Sequence, residues 1–114
     1  KWADELKTKM QDINQYVMYL SGGNKQKVSV AKWVGFGADI YIFDCPTRGI
    51  DIGVKADIYK LLMKLKSEGK AILMISEEMI GMADRTLIVK NGCITGEFKR
   101  DEGLTEDKLI EYII

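Results

Sequence analysis

The chain has 114 residues, with 17 Lys and Arg against 17 Asp and Glu, two Cys, one Pro, eleven Gly and no His. Zero net charge without a basic block argues against a nucleic-acid partner, and the lack of histidine removes Ser-His triads, Cys-His dyads and His-bearing metal sites. A hydrophobic fraction of 46% excludes disorder and fits one small domain at most. The longest apolar runs, Ala71–Ile75 and Ile40–Phe43, fall far short of the ~20 residues of a membrane helix. Lys1-Trp2-Ala3-Asp4-Glu5 is no secretory signal. Cys45 and Cys93 have neither disulfide-framework nor metal spacing and read as free thiols of a reducing cytosol. The missing start Met leads us to expect that something was removed from, or lies upstream of, Lys1.

In chain order, weak helical character runs to about Lys9, and the polar stretch Gln11-Asp12-Ile13-Asn14-Gln15 breaks it. Ser21-Gly22-Gly23-Asn24 offers capping side chains and bare backbone N–H groups. A helix carrying Val28, Val30, Ala31 and Val34 follows, and Gly35 and Gly37 end it. Ile40-Tyr41-Ile42-Phe43 has no polar alternation, which predicts a strand buried on both faces, stopped by Asp44-Cys45-Pro46. A second helix is predicted from about Gly53 to Glu68, with Val54, Ile58, Leu61, Leu62 and Leu65 on one stripe and Gly69 as its stop. Ala71–Ile75 predicts a second buried strand, then a short helix at about Glu77–Ala83. Thr86–Val89 and Ile94–Phe98 flank Asn91-Gly92, a strong hairpin signal, and Thr105 caps a last helix to Ile114. Buried-type strands alternating with helices predict an α/β layered fold with a mainly parallel sheet.

Ligands of such folds gather at the carboxyl ends of the strands. Asp44 stands at one such end and Ser76-Glu77 at another. A carboxylate at the end of an apolar strand suits Mg²⁺ beside a phosphate, although an Asp opening a turn is also ordinary turn chemistry. Two glycines at a helix start let backbone donors approach an anion, with the helix dipole assisting. The Ser21 hydroxyl and Asn24 amide would add hydrogen bonds to phosphate oxygens. A plain capped helix needs no glycine pair, and Gly costs helix stability, so the pair asks for a reason.

Leu20-Ser21-Gly22-Gly23-Asn24-Lys25-Gln26-Lys27 resembles the signature motif of ATP-binding cassette (ABC) ATPases, in the wording typical of bacterial importers of simple sugars such as ribose, xylose and galactose. About twenty residues on, Ile40-Tyr41-Ile42-Phe43-Asp44 resembles the family's Walker B strand. Pro46-Thr47-Arg48-Gly49-Ile50-Asp51-Ile52-Gly53 resembles its D-loop, as worded in the second cassette of the double-cassette proteins. Met74-Ile75-Ser76-Glu77-Glu78 resembles the switch region, and Met82–Val89 the strand that follows it. The motifs are collinear and cover nearly the whole chain.

The resemblance implies the P-loop NTPase fold of an ABC cassette, here in part. Residues 1–37 would end the helical subdomain with its signature helix, and 38–114 would form the C-terminal part of the RecA-like core. It further implies an ATPase subunit that uses ATP and Mg²⁺, is cytoplasmic and peripheral to the inner face of the membrane, and works beside a second cassette and membrane-spanning permease subunits. By carry-over, Ser21, Gly22, Gly23 and Asn24 complete a partner's ATP site, Asp44 helps place Mg²⁺ at the chain's own site, and Asp51 lies at the cassette–cassette contact.

The chain departs from the family in three respects. Walker A, G-x-x-x-x-G-K-[ST], is absent, since the only Gly-Lys pair, Gly69-Lys70, precedes Ala71; the glutamine loop is missing as well, so the match is to the C-terminal half of a cassette. Cys45 occupies the place of the glutamate that polarises water, and a neutral thiol is a poor acceptor for it. Glu77 stands where most members keep a switch histidine, and its carboxylate would repel a γ-phosphate unless Mg²⁺ or a basic side chain intervenes. These departures predict that the polypeptide alone neither binds ATP tightly nor hydrolyses it. A rival reading is a truncated or degenerate, non-catalytic cassette that acts as a protein-interaction module. Missing neighbours would leave apolar strand faces open, which predicts self-association.

Overall fold

The computed structural model describes residues 21–78 and 81–114. The helical character expected to Lys9, and Leu20 of the signature, lie outside the described residues. The chain divides into two compact units, the first ending at Ser76 and the second beginning at Glu77.

In the first unit, helix α1 (Gly22–Val34) starts at the Ser21 cap. It ends at Gly35, whose N–H donates to the Ala31 carbonyl at 2.9 Å. Strand β1 (Ile40–Asp44) leads through a turn to α2 (Ile52–Ser67), capped by Asp51. Gly69 takes a φ of 84°, and the N–H groups of Gly69 and Lys70 close on the carbonyls of Lys66 and Leu65 at 3.0 and 3.1 Å. This double bond satisfies the last carbonyls of α2 and turns the chain into strand β2 (Ala71–Ile75). β1 and β2 are parallel, with Ile40 opposite Ala71, Ile42 opposite Leu73 and Asp44 opposite Ile75.

Both helices pack on one face of this pair. Val30 and Val34 of α1, Tyr41 and Phe43 of β1, and Ile58, Leu61, Leu62 and Leu65 of α2 form one buried cluster, with Ile58 fully enclosed. The hydroxyl of Tyr41 donates to the Val34 carbonyl at 3.3 Å, fastening the end of α1 to β1.

Burial corrects the expectation of strands covered on both sides. β1 alternates, with Tyr41 and Phe43 buried and Ile40, Ile42 and Asp44 exposed. On β2, Leu73 and Ile75 are likewise exposed. An apolar run without alternation is the pattern of a strand between two layers; here one layer is present among the described residues, so the second apolar face stands open.

The second unit begins at Glu77. The described residues of the stretch expected as a helix at about Glu77–Ala83 are bends and a turn. Strands β3 (Arg85–Lys90) and β4 (Cys93–Lys99) form the expected antiparallel hairpin, each longer than predicted by one residue at either end. Asn91 and Gly92 at its tip have φ of 50° and 77°, as a two-residue primed turn requires. Helix α3 (Glu106–Ile113) starts at Thr105, whose Oγ1 accepts the Lys108 N–H at 3.3 Å. It returns to the hairpin through Tyr112, which lies over Gly96 and meets Phe98 edge-on at 5.2 Å between centroids.

Candidate functional site

The first unit brings together most of the residues expected to carry chemistry. Ser21 is extended (φ −60°, ψ 160°), and its Oγ accepts from the Asn24 N–H at 3.2 Å and from Asn24 Nδ2 at 2.9 Å. The expected polar pair therefore forms a local cap, in which the Ser21 hydroxyl proton remains a separate donor. The first intrahelical bond runs from the Lys25 N–H to the Ser21 carbonyl at 2.8 Å. The N–H groups of Gly22 and Gly23 precede it and belong to the unsatisfied first turn, at the positive end of the helix dipole. A Cβ on Gly22 would meet nothing within 4 Å, so the turn is open on that side.

Asp44 ends β1 on the exposed face, beside Ile75. Among the described residues no three His, Cys, Asp or Glu side chains gather as a metal group. Asp44 therefore stands as a single carboxylate, and phosphate oxygens and water would have to complete any Mg²⁺ shell at it. Cys45 follows in a left-handed conformation (φ 46°), and its N–H extends the ladder to the Ile75 carbonyl at 2.9 Å. Arg48 turns back on it, with its N–H donating to the Cys45 carbonyl at 3.2 Å and Nη2 lying 3.3 Å from Sγ. Cys45 and Cys93 are free thiols. Thr47 is buried, its Oγ1 3.3 Å from the Tyr59 hydroxyl, which pins the turn to α2. Asp51 caps α2, with Oδ1 accepting the Val54 N–H at 2.9 Å. Glu77 is exposed at the start of the second unit.

The contacts of Gln26, Lys27 and Asp57 were not foreseen from the sequence, although Gln26 and Lys27 stand in the signature motif. The Gln26 side chain donates from Nε2 to the Pro46 carbonyl at 2.6 Å, and Lys27 Nζ lies 2.8 Å from Asp57 Oδ2. Lys27 is only 4% exposed. A signal existed: Lys27, Val30 and Val34 share a stripe at i, i+3 and i+7, and Asp57 stands beside Val54 and Leu61 on α2. Opposite charges on two facing apolar stripes point to a buried pair.

The chain matches no model of a known protein family. Over 116 residues it is 44% identical to the ribose import ATP-binding protein RbsA of Clostridium tetani, covering 99% of this chain and 23% of that protein. The L-arabinose transport ATP-binding protein AraG of Geobacillus stearothermophilus is 46% identical over 116 residues, again 99% of this chain and 22% of that one. The chain belongs to the ATP-binding cassette family. Its fold agrees with solved cassettes. MJ1267, an ATP-binding cassette of an ABC transporter, superposes with a TM-score of 0.82 at 23% identity, over 97% of this chain and 46% of that one. The ATP-binding cassette MJ0796, in a dimeric post-hydrolysis state bound to ADP and Pi, gives 0.77 at 24% identity, over 85% and 43%. The fold is that of a P-loop NTPase cassette, in part. The chain spans less than a quarter of the curated relatives' length and under half of the solved cassettes. No helix among the described residues is long and apolar enough to cross a membrane.

Proposed function

We infer that this chain is the C-terminal part of a cassette, with the second cassette of a double-cassette subunit as the specific assignment, in an ATPase that drives import of a simple sugar. The observation that carries this reading is the order along one compact unit: an open glycine turn on α1, Asp44 at the end of β1, and Asp51 capping α2. The relatedness to ribose and arabinose import proteins supports the substrate class. ATP is the chemical substrate, and the sugar is handled by other chains.

In this reading the Gly22 and Gly23 N–H groups and the Ser21 hydroxyl bind the γ-phosphate of an ATP held by a partner cassette. Asp44 holds Mg²⁺ at the chain's own site, where the ion offsets phosphate charge when bound. Asp51 orders the cassette–cassette contact through the turn it caps. Cys45 stands where a carboxylate would take a proton from water, and a thiol does this poorly. Glu77 adds a negative charge in the switch segment. Both changes weaken the chain's own site while leaving the signature turn intact. Residues 1–37 end the helical subdomain and 38–114 belong to the RecA-like core. The subunit works in the cytoplasm against membrane-spanning permease partners.

Cys45 also favours a second reading, a non-catalytic cassette that lends its signature turn to a partner. The intact mass from the native source separates the two: a value near 12.9 kDa supports the module, and a larger protein carrying a Walker A loop supports the ATPase. The 114-residue chain by itself is expected to release no phosphate from ATP above an Asp44→Ala control. Turnover above that control overturns the assignment of incomplete machinery.

A further inference from the structure

The glycine turn is not positioned by α1 alone. Three contacts join it to the segment from Cys45 to Asp57. Gly23 packs its bare backbone against Val54, so closely that a Cβ would fall 2.7 Å from Val54 Cγ2. One turn further on, Lys27 Nζ meets Asp57 Oδ2 at 2.8 Å. Residue numbers rise together in the two contacts, from 23 to 27 on α1 and from 54 to 57 on α2. Both contacts lie within six residues of the caps that open the two helices, Ser21 on α1 and Asp51 on α2. The third contact, Gln26 Nε2 to the Pro46 carbonyl at 2.6 Å, fastens α1 to the turn that leaves β1 just after Asp44.

The chemistry of these contacts is more demanding than packing requires. Lys27 is enclosed, and Asp57 keeps 18% of its side chain exposed. A buried ion pair contributes little net stability compared with an apolar pair of the same shape, but it tolerates only a narrow range of geometry. The Gln26 bond is equally directional. Sliding or tilting α1 would break both at once.

We propose that Lys27, Asp57 and Gln26 are positioning residues that lock the glycine turn of α1 and the Asp51 turn of α2 into one rigid block, so that the placement of the loop after Asp44 sets the placement of the phosphate-facing turn. This rests on the reading of Ser21–Asn24 as the contact to a partner's ATP. None of the three touches the nucleotide; they act through the turn that does.

The test uses the full ATP-binding subunit that carries this segment, measuring kcat and KM for ATP together with thermal midpoint. Asp57→Asn keeps a similar shape and removes the charge; it is expected to lower kcat about tenfold or more, as misplacement of a reacting group does, with KM changed less than about twofold. Lys27→Arg keeps the charge pair and is expected to retain most of the turnover. Gln26→Met is expected to lower kcat several-fold, and it carries the test if Asp57→Asn fails to fold. Folded Asp57→Asn or Gln26→Met with wild-type kcat, whatever the change in midpoint, overturns the positioning role. Ser21→Ala separates the two levels of argument. If it lowers turnover while the clamp variants do not, the clamp is wrong and the functional reading survives; if it leaves turnover unchanged, the functional reading falls and the clamp with it.

Discussion

The backbone of Gly23 lies against Val54 so tightly that a methyl group added at Gly23 would stand 2.7 Å from Cγ2 and 3.4 Å from Cβ of that valine. Val54 is β-branched and stiff at χ1, so it cannot swing aside cheaply. The neighbouring Gly22 is different, because nothing lies within 4 Å of where its Cβ would be. The two glycines of the turn thus serve separate ends, one facing the fold and one facing outward.

Gly23→Ala is therefore expected to destabilise the first unit by about 1–3 kcal/mol through overpacking. Gly22→Ala, with free space and helical backbone, is expected to stabilise it by about 0.5 kcal/mol. Urea unfolding of both variants checks this. In the full subunit the order of cause reverses: Gly22→Ala should still lower ATP turnover, because the added methyl occupies the space an anion needs. Equal destabilisation by both substitutions would contradict the division of roles.

Cys45 holds a left-handed φ of 46°, a conformation costing an L-residue roughly 1–2 kcal/mol. Cys45→Gly is expected to raise the unfolding free energy, by less than that amount because glycine also gains freedom in the unfolded chain. Cys45→Glu retains the strain and supplies the carboxylate expected to activate water. In the full subunit it should raise ATP turnover by about 10²-fold or more, the usual contribution of a general base. No gain would mean that position 45 does not face the attacking water.

Much of this was legible in the sequence because the signals are local. Ser21 and Thr105 cap the helices their side chains announce, and Asn91-Gly92 turns the hairpin, whereas the cap that Asp51 provides for α2 was not foreseen. The parallel pairing followed from two apolar runs separated by a helix. What local signals missed is tertiary. The Lys27–Asp57 pair spans 30 residues, and neither charge names its partner until α1 and α2 are packed. The apolar runs of β1 and β2 alone suggest burial on both faces; only the missing neighbours of a partial cassette pointed to the open face that Ile40, Ile42, Leu73 and Ile75 present. The left-handed Cys45 has no side-chain signature, unlike Asn91.

Lys70 Nζ donates to Asp39 Oδ1 at 3.0 Å, joining the start of β2 to the residue before β1, next to the bond from the Ala71 N–H to the Asp39 carbonyl at 2.9 Å. The hydrogen bond to Asp39 raises the Lys70 pKa above its ordinary value, against a smaller opposing effect of burial. A lysine pKa raised by folding contributes stability that is fully present below the unfolded value of about 10.4 and is lost as pH climbs through the folded one. The thermal midpoint of the wild type should thus exceed that of Lys70→Met by a constant margin from about pH 7 to 9, and the margin should shrink near pH 11. The carboxylate is almost wholly exposed, so added salt should narrow the margin too. A margin independent of both pH and salt would assign the effect of Lys70 to packing of its stem.

Ile40 and Ile42 of β1 and Leu73 and Ile75 of β2 form one apolar surface beside Asp44, and Ile42 is 67% exposed. A contiguous face of this kind on a two-stranded sheet recruits other apolar surfaces, and the strand edges beside it offer unpaired backbone groups. The isolated chain is expected to self-associate as its concentration rises, as followed by light scattering. Ile42→Lys places a charge in the middle of that face without entering the core, whose residues alternate to the other side. It should therefore suppress association while leaving the urea midpoint within about 0.5 kcal/mol of wild type. In the full subunit the same substitution should behave oppositely and lower stability by several kcal/mol, because a covered face would then contain an unpaired charge. A wild-type chain that stays strictly monomeric at high concentration would show that the open face is not adhesive, and Ile42→Lys would then have nothing to suppress.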